Sequence, residues 1–345
     1  MQTVTTSLTG LLGTRVPVVS AAMAFASSAK LAVEVTRGGG FGFVGAAFAT
    51  PDSLREELAY TRKSFPDPGN KPLPIGLGYI GWLLDANEEQ SKQLIDISLE
   101  NNVQAIWLSF GVDLFRWLQY IRTSPANARA THKPLIFLQA TSLQEALVAA
   151  NDWKVDVIIA QGNEAGGHGG KAAPSTMVML SEILAALPAE HAPPVLAAGG
   201  ISNGSQAAAY LVAGAAGVVL GTRFALTAES PYPDYNKAAI QRARSSDTVR
   251  THALDWAWNL YSWPEGINGR GIRTKIVDDI DAGVPHEEVR ARYARAAETN
   301  DPDYMVTWCS QGVSLMEDIK PAKELVEELH ADIVRSLQRG PQLLA

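Results

Sequence analysis

The stretch PVLAAGGISNGSQAAAYLVAGAAGVVLGT, residues 194–222, decides the fold. Its ends, PVLAAGG (194–200) and AGVVLGT (216–222), are continuous apolar runs closed by glycines. Continuous rather than alternating apolar residues are expected for parallel strands buried on both faces. The segment between them reads as a helix, with Asn203 as its N-cap and Gly214 as its stop. This is a strand–helix–strand unit.

Working outward, six more runs of the same kind precede it: VPVVSA (16–21), GFGFVGA (40–46), LPIGLGY (73–79), AIWLSFG (105–111), PLIFLQA (134–140) and VDVIIAQG (155–162). Helix-like segments separate them. TPDSLREELAYTRKSF offers Thr50 as cap and Pro51 at the first helical position. SLQEALVAAN opens with the capping-box pair Ser142 and Glu145. Eight strand–helix units point to an α/β fold, a (β/α)8 TIM barrel. A doubly wound open sheet is the alternative, because periodicity does not show closure.

Residues 231–315 read differently. They are aromatic-rich and helical in pattern, with Trp256, Trp258, Tyr261, Trp263 and Trp308, and predict a lid subdomain inserted after the eighth strand. The expected division is therefore a barrel over 1–230, closed by a C-terminal helix within 316–345, and a helical substrate-covering unit over 231–315.

Composition narrows the class. Of 345 residues, 46% are hydrophobic and 19% charged, which excludes a disordered chain. The net charge of -7 is spread along the chain, and no basic stripe suggests a nucleic-acid groove. A single cysteine, Cys309, rules out a disulfide framework and suits a reducing, cytoplasmic setting. The apolar, small-residue stretch 16–29 reads as a buried strand entering a loop rather than as a signal peptide, although residues 1–30 contain no acid and leave a weak organelle signal open. No run reaches the roughly 18 apolar residues of a membrane span. Oligomeric state is left open, with a homodimer one option.

In a barrel the loops after the strands' C-terminal ends build the site. Three of these loops are glycine-rich. Gly199–Gly200 after the seventh run and Gly221–Thr222 after the eighth would let backbone amides approach a phosphate; the alternative is tight turns only. The sixth loop, QGNEAGGHGG (161–170), carries Gly162, Gly166, Gly167, Gly169 and Gly170, which would let it lie flat against a planar ligand. His168, framed by these glycines, is the candidate catalytic or substrate-contacting residue, because imidazole titrates near neutrality. Glu164 is the nearest acid, without an assigned role. The other histidines, His132, His191, His252, His286 and His330, show no metal-ligand spacing. There is no G-x-S-x-G elbow and no Walker A lysine. Cys309 reads as core or interface.

QGNEAGGHGG, AAGGISNG and LGTRFALTAES, in that order, resemble the nitronate monooxygenase family, formerly 2-nitropropane dioxygenases; SWPEGINGRGIR and QGVSLMEDIKPAKELVEEL resemble its later segments. The superfamily is shared with FMN-dependent enoyl-ACP reductases and NADH:quinone reductases. The resemblance implies a (β/α)8 barrel with bound FMN that uses oxygen to cleave alkyl nitronates to carbonyl compounds and nitrite. Some members also oxidise neutral nitroalkanes, with the histidine matched by His168 taking the α-proton. The resemblance further implies flavin contacts from the backbone of Ala22, Met23 and Ala24, where the family often has a proline after the first alanine. It implies others from Gly78 (an asparagine in many bacterial members, a glycine here as in the fungal branch), Ser109, Gln139, Gln161, Gly162, Gly166, Gly167, and the Gly199–Gly200 and Gly221–Thr222 phosphate pairs. The alternative is NAD(P)H-dependent reduction of a quinone or an enoyl thioester on the same scaffold; QRARSSDTVR (241–250) is a candidate basic patch for an acidic partner.

Overall fold

A computed structural model describes residues 2–66, 71–188, 190, 192–299, 301–340 and 342. His191 and residues 341 and 343–345 of the expected closing segment lie outside them.

Eight parallel strands form the barrel: β1 (Val18–Ser20), β2 (Phe43–Gly45), β3 (Leu73–Ile80), β4 (Val103–Ser109), β5 (Leu135–Ala140), β6 (Val157–Gln161), then, after β7 (Gly167–Gly170), β8 (Val195–Ala198) and β9 (Gly217–Leu220). The hydrogen-bonded order runs β1-β9-β8-β6-β5-β4-β3-β2. Closure comes from a parallel bridge between Val19 and Phe41, so the ring is a barrel and not an open doubly wound sheet. The barrel strands are buried on both faces, which is why their sequences are continuous apolar runs.

The interior is filled by side chains rather than left as a pore. Val19, Phe41, Phe43, Trp107, Phe137, Ile159 and Leu196 pack there together, and Leu8 and Leu12 of the helix Ser7–Leu12 join them. That helix lies at the strands' N-terminal end: Gln104 Nε2, beside the start of β4, donates to Leu12 O. The opposite, C-terminal mouth is left for a ligand.

Local signals in the chain account for the helices. Thr50 caps the helix Pro51–Ser64 and accepts from Ser53 N. Asn203 caps Gly204–Val212, and Gly214 follows its end with φ +106°. Ser142 caps Leu143–Asn151 by accepting from Glu145 N, but the second half of the expected capping box is different: Glu145 accepts from Thr141 N and Oγ1 instead. The final helix Ala322–Arg339 packs against Ala29–Arg37 and Gly204–Val212, sealing the outer layer between the first and seventh units.

Residues 231–315 are not helical throughout. Beside the helices Asp234–Arg242, Ala253–Ala257, Lys275–Asp281 and His286–Thr299 they contain β10 (Thr248–Thr251) and β11 (Ile267–Ile272). These pair antiparallel, and β11 also pairs with β7, giving a second sheet ordered β10-β11-β7. The glycine-rich sixth loop is therefore partly a strand, and it ties the barrel to the segment that covers it. No helix among the described residues is long and apolar enough to cross a membrane.

Candidate active site

One cavity, of about 210 Å³, opens at the C-terminal mouth. Of the residues the sequence places against a ligand, all but Gly162, Gly169 and Gly170 line it: Ala22, Met23 and Ala24 after β1, Gly78 near the end of β3, Ser109 at the end of β4, Gln139 in β5, Gln161 at the end of β6, Gly166, Gly167 and His168 in and before β7, Gly199 and Gly200 after β8, and Gly221 and Thr222 after β9.

Gly162 has a different job. A Cβ there would sit 2.3 Å from Thr176 N, so the residue is small to let the 175–176 turn approach. The same reading applies to much of the sixth loop. At Gly166 a Cβ would meet the Cys309–Ser310 peptide at 2.3–2.4 Å, and at Gly170 the Thr141 side chain at 2.9 Å. These glycines make room for the protein itself rather than for a flat ligand. Gly167 is the exception: nothing lies within 4 Å, and its φ of +63° is what demands glycine. Gly78 is also set by packing, because a Cβ would lie 2.2 Å from Ala22 Cβ. Asparagine at this position is incompatible with the present path of the Ala21–Ala24 loop.

In the loop after β8 packing and backbone conformation both demand glycine, since a Cβ on Gly199 would lie 2.5 Å from Thr176 Oγ1, whereas the loop after β9 is open. Gly199 and Gly200 have φ of +128° and +68°, conformations open to few other residues. A Cβ on Gly221 would find nothing closer than 3.5 Å. Protein packing does not require the missing side chain there, and the space belongs to the cavity. Thr222 Oγ1 accepts from Ser310 N (2.9 Å), while Ser310 Oγ is buried without a partner among the described residues and lines the same cavity. Arg223 of the LGTRF motif turns away and binds Asp318 (2.6 Å).

Gln161 Nε2 donates to His168 O (3.0 Å), which leaves its Oε1 buried and unpaired; Gln139 Nε2 is also buried and unpaired. An unsatisfied donor and acceptor beside one cavity are costly unless a ligand answers them. The conformationally unusual glycines, the open space at Gly221 and these orphaned amides suit a phosphate-bearing heterocycle with hydrogen-bonding edges, so the residues present fit FMN.

His168 lies in β7, opposite Gly269 of β11. Its Nε2 is 2.8 Å from Asp255 Oδ1, and its ring stacks on Trp263 with centroids 3.5 Å apart and planes 12° off parallel. Asp255 is fully buried in the helix Ala253–Ala257, whose Ala253, Leu254 and Ala257 form a small core with Ile276, Val277, Val289 and Val306. Hydrogen bonding to a carboxylate places the proton on Nε2 and the lone pair on Nδ1. Burial lowers the imidazole pKa below its ordinary 6.5, against the opposing pull of Asp255. Burial thus favours the neutral form of the ring. Glu164 neither touches His168 nor stands free in solvent: its carboxylate accepts from Thr176 N and Oγ1 at 2.6 and 2.7 Å.

Arg250, which the sequence did not single out as a site residue, holds the loop that carries His168. It ends the proposed basic patch, yet points inward. Its guanidinium donates to Ala165 O (3.0 Å), Gly169 O (3.2 Å) and Asn268 O (2.8 Å), and Arg270 Nε donates to Asn163 O (3.1 Å). Two cations thus bind the carbonyls of the His168 loop. Asp255 was missed too. An acid flanked by Leu254 and Trp256 in an aromatic stretch is the only hint the sequence carries. Among the described residues no cluster of His, Cys, Asp or Glu could hold a metal.

The nitronate monooxygenase family model matches residues 5–77 and 81–332, and the chain belongs to that family. It is an oxidoreductase of this type. It is 31% identical to the nitronate monooxygenase of Neurospora crassa, with 93% of this chain and 90% of that one aligned. A probable nitronate monooxygenase of Staphylococcus saprophyticus is 28% identical, over 94% of this chain and 96% of its own. Among solved structures, FabK from Thermotoga maritima superposes with a TM-score of 0.78 at 26% identity over 99% of this chain and all of that one. The nitroalkane oxidase from Streptomyces ansochromogenes superposes with a TM-score of 0.76 at 26% identity over 98% of this chain and 99% of that one.

Proposed function

We propose that the protein, with FMN bound, uses oxygen to convert alkyl nitronates to carbonyl compounds and nitrite, and takes neutral nitroalkanes after removal of their α-proton. Two nitronate anions and one dioxygen give two carbonyls and two nitrites, which balances atoms and charge. Bound FMN supplies the electron transfer between nitronate and oxygen.

The chain's own residues do the rest. Gln139 and Gln161 offer the unpaired donor and acceptor to the heterocycle. The backbone at Gly199, Gly200, Gly221 and Thr222 is the proposed phosphate seat, with Ser310 Oγ beside it, and the Ala22–Ala24 backbone lines the same cavity. A nitronate needs no base. A nitroalkane gives its α-proton to His168 Nδ1 while Asp255 holds Nε2–H. The segment 231–315 supplies Trp258, Trp263 and Trp308, which cover the cavity and exclude bulk water.

The observation that carries this reading is the contact between His168 and Asp255 in the wall of the cavity that fits FMN. Anaerobic mixing of the yellow holoprotein with ethyl nitronate tests it: bleaching of the flavin without NAD(P)H is the expected result. A flavin that ignores the nitronate and bleaches only with NADH or NADPH would make the protein a reductase of quinones or enoyl thioesters. That second reading has one observation in its favour, since the aromatic cavity walls would also take a quinone ring.

A further inference from the structure

We infer that Trp263 is a positioning residue for His168: its indole face fixes the plane of the imidazole and stabilises the imidazolium that forms when the substrate's α-proton is taken. The inference deepens the function proposed above and rests on that reading.

The first observation is how the imidazole is held. His168 Nε2 is on Asp255 Oδ1, and Nδ1 has no partner among the described residues. One hydrogen bond fixes one edge of the ring but not its plane, because the outer torsion of histidine is broad. The plane is set by the indole of Trp263, with centroids 3.5 Å apart and 12° off parallel. Trp308 adds only a tilted contact, at 4.8 Å and 52°.

The second observation is that the indole is itself fixed from the barrel side. Trp263 belongs to the cover. Its edge contacts are Trp82 (5.3 Å, 67°), which follows β3, and Phe110 (5.7 Å, 79°), which follows β4. Those two are tied together, since Trp82 N donates to Phe110 O (3.0 Å). Phe110 holds φ at +51°, a left-handed conformation that a bulky residue keeps only where its surroundings over-determine it. Pro264 restricts the backbone of Trp263 from the other side. Trp263 Nε1 is buried without a partner among the described residues, so the ring is placed by its face and edges and not by its polar end.

Charge decides what the face does. Burial disfavours the imidazolium, and so do Arg250 of β10 and His252 beside the helix Ala253–Ala257; Asp255 of that helix favours it. Arg270 of β11 turns its guanidinium to Asn163 O and Thr248 Oγ1. An indole face carries the negative part of the ring's quadrupole and attracts a cation laid on it. That attraction appears only once the proton has moved, so the stack favours the protonated ring over the neutral one.

The test is a pH titration, followed by NMR, of holoprotein carrying isotope-labelled histidine, with the His168 signal assigned by its loss in His168→Ala. In Trp263→Leu the His168 pKa should fall by about half a pH unit or more, the range of a cation–π contact. Trp263→Phe keeps an aromatic face and should fall less. A side chain that only excludes water predicts the opposite sign, because the smaller leucine admits water and eases the cost of charging the ring. A His168 pKa that stays or rises in Trp263→Leu overturns the inference; if that variant does not fold, Trp263→Phe decides it by the same sign. Turnover gives a second readout. On nitroethane kcat/KM should drop about tenfold in Trp263→Leu and recover in part in Trp263→Phe, while both variants stay near wild type on ethyl nitronate. An equal loss on the two forms would make Trp263 part of the substrate or flavin site and overturn the assignment. If the wild type turns over neither form, the oxidase reading fails, and the titration still decides what Trp263 does to His168.

Discussion

His168 Nε2 and Asp255 Oδ1 lie 2.8 Å apart although 87 residues separate them in the chain. The β7–β11 pairing brings the histidine out of the sixth loop, and the small core around Leu254 fixes the aspartate above the barrel. The contact therefore joins the barrel to its cover at the ionisable residue best placed to move a proton. A carboxylate that holds a histidine tautomer is a positioning group rather than a proton acceptor.

Replacing His168 with alanine should separate the two substrate forms. The variant is expected to keep its flavin and oxidise pre-formed nitronate, while activity on neutral nitroalkane drops by roughly two to four orders of magnitude, the range of general base catalysis. Steady-state nitrite release with each form measures this. An equal loss on both would make the residue a binder of substrate or cofactor.

Asp255→Asn should act on the base without removing it. In a histidine–carboxylate pair the same change costs up to about 10⁴-fold because the wrong tautomer is then held; here the loss should be confined to the neutral nitroalkane. The pH profile carries a sharper signature. Burial already sets the His168 pKa below 6.5, so wild-type kcat/KM on nitroalkane should be level above pH 6.5 and fall only at lower pH. Asp255 pulls that pKa upward, so its loss should move the acid limb further down. Stability follows the same sign: the unfolded chain takes up the proton that the folded site resists, so folding weakens as pH falls below 6.5. An acid limb that moves up in Asp255→Asn would contradict the assignment.

Arg250 holds the histidine loop by its carbonyls, and burial together with neighbouring Arg270 lowers its pKa to about 10. Arg250→Leu leaves those carbonyls without donors, at a cost of about 1–3 kcal/mol for each buried group. Thermal unfolding should show a clear drop in Tm, and the flavin should be lost more readily on dialysis. Arg250→Lys should rescue little, because a point charge cannot reach several carbonyls at once. An unchanged Tm in the leucine variant would show that the loop does not depend on it.

Cys309 is fully buried, and its thiol is pushed up to about 12 by burial. A thiol reagent should leave it untouched in the native protein and label it once on unfolding. Rapid native labelling would mean that the 308–310 segment opens, exposing the cavity wall it helps to form.

Much of this site could be read in the sequence because strand ends in a barrel converge whatever the loops do. Once eight buried runs were counted, Ala22, Ser109, Gln139, Gln161, Gly199 and Gly221 had to meet at one mouth. The pattern failed where tertiary pairing overrode local character. GGHGG looks like a flexible loop, yet it pairs with β11 because Trp308, Thr141 and the Cys309–Ser310 peptide leave room for nothing larger at several of these positions and at Gly269 opposite. Residues 248–251 and 267–272 read as part of a helical unit, but they form strands on that same edge. Asp255 and Arg250 could not be singled out because each looks like an ordinary surface charge until the fold buries it.

The most direct test of the whole account is oxygen uptake and nitrite release by the purified flavoprotein given ethyl nitronate and no NAD(P)H. The account predicts sustained turnover, with two nitrites formed for each oxygen consumed. No oxygen uptake and no nitrite, from protein that retains its flavin, would contradict it.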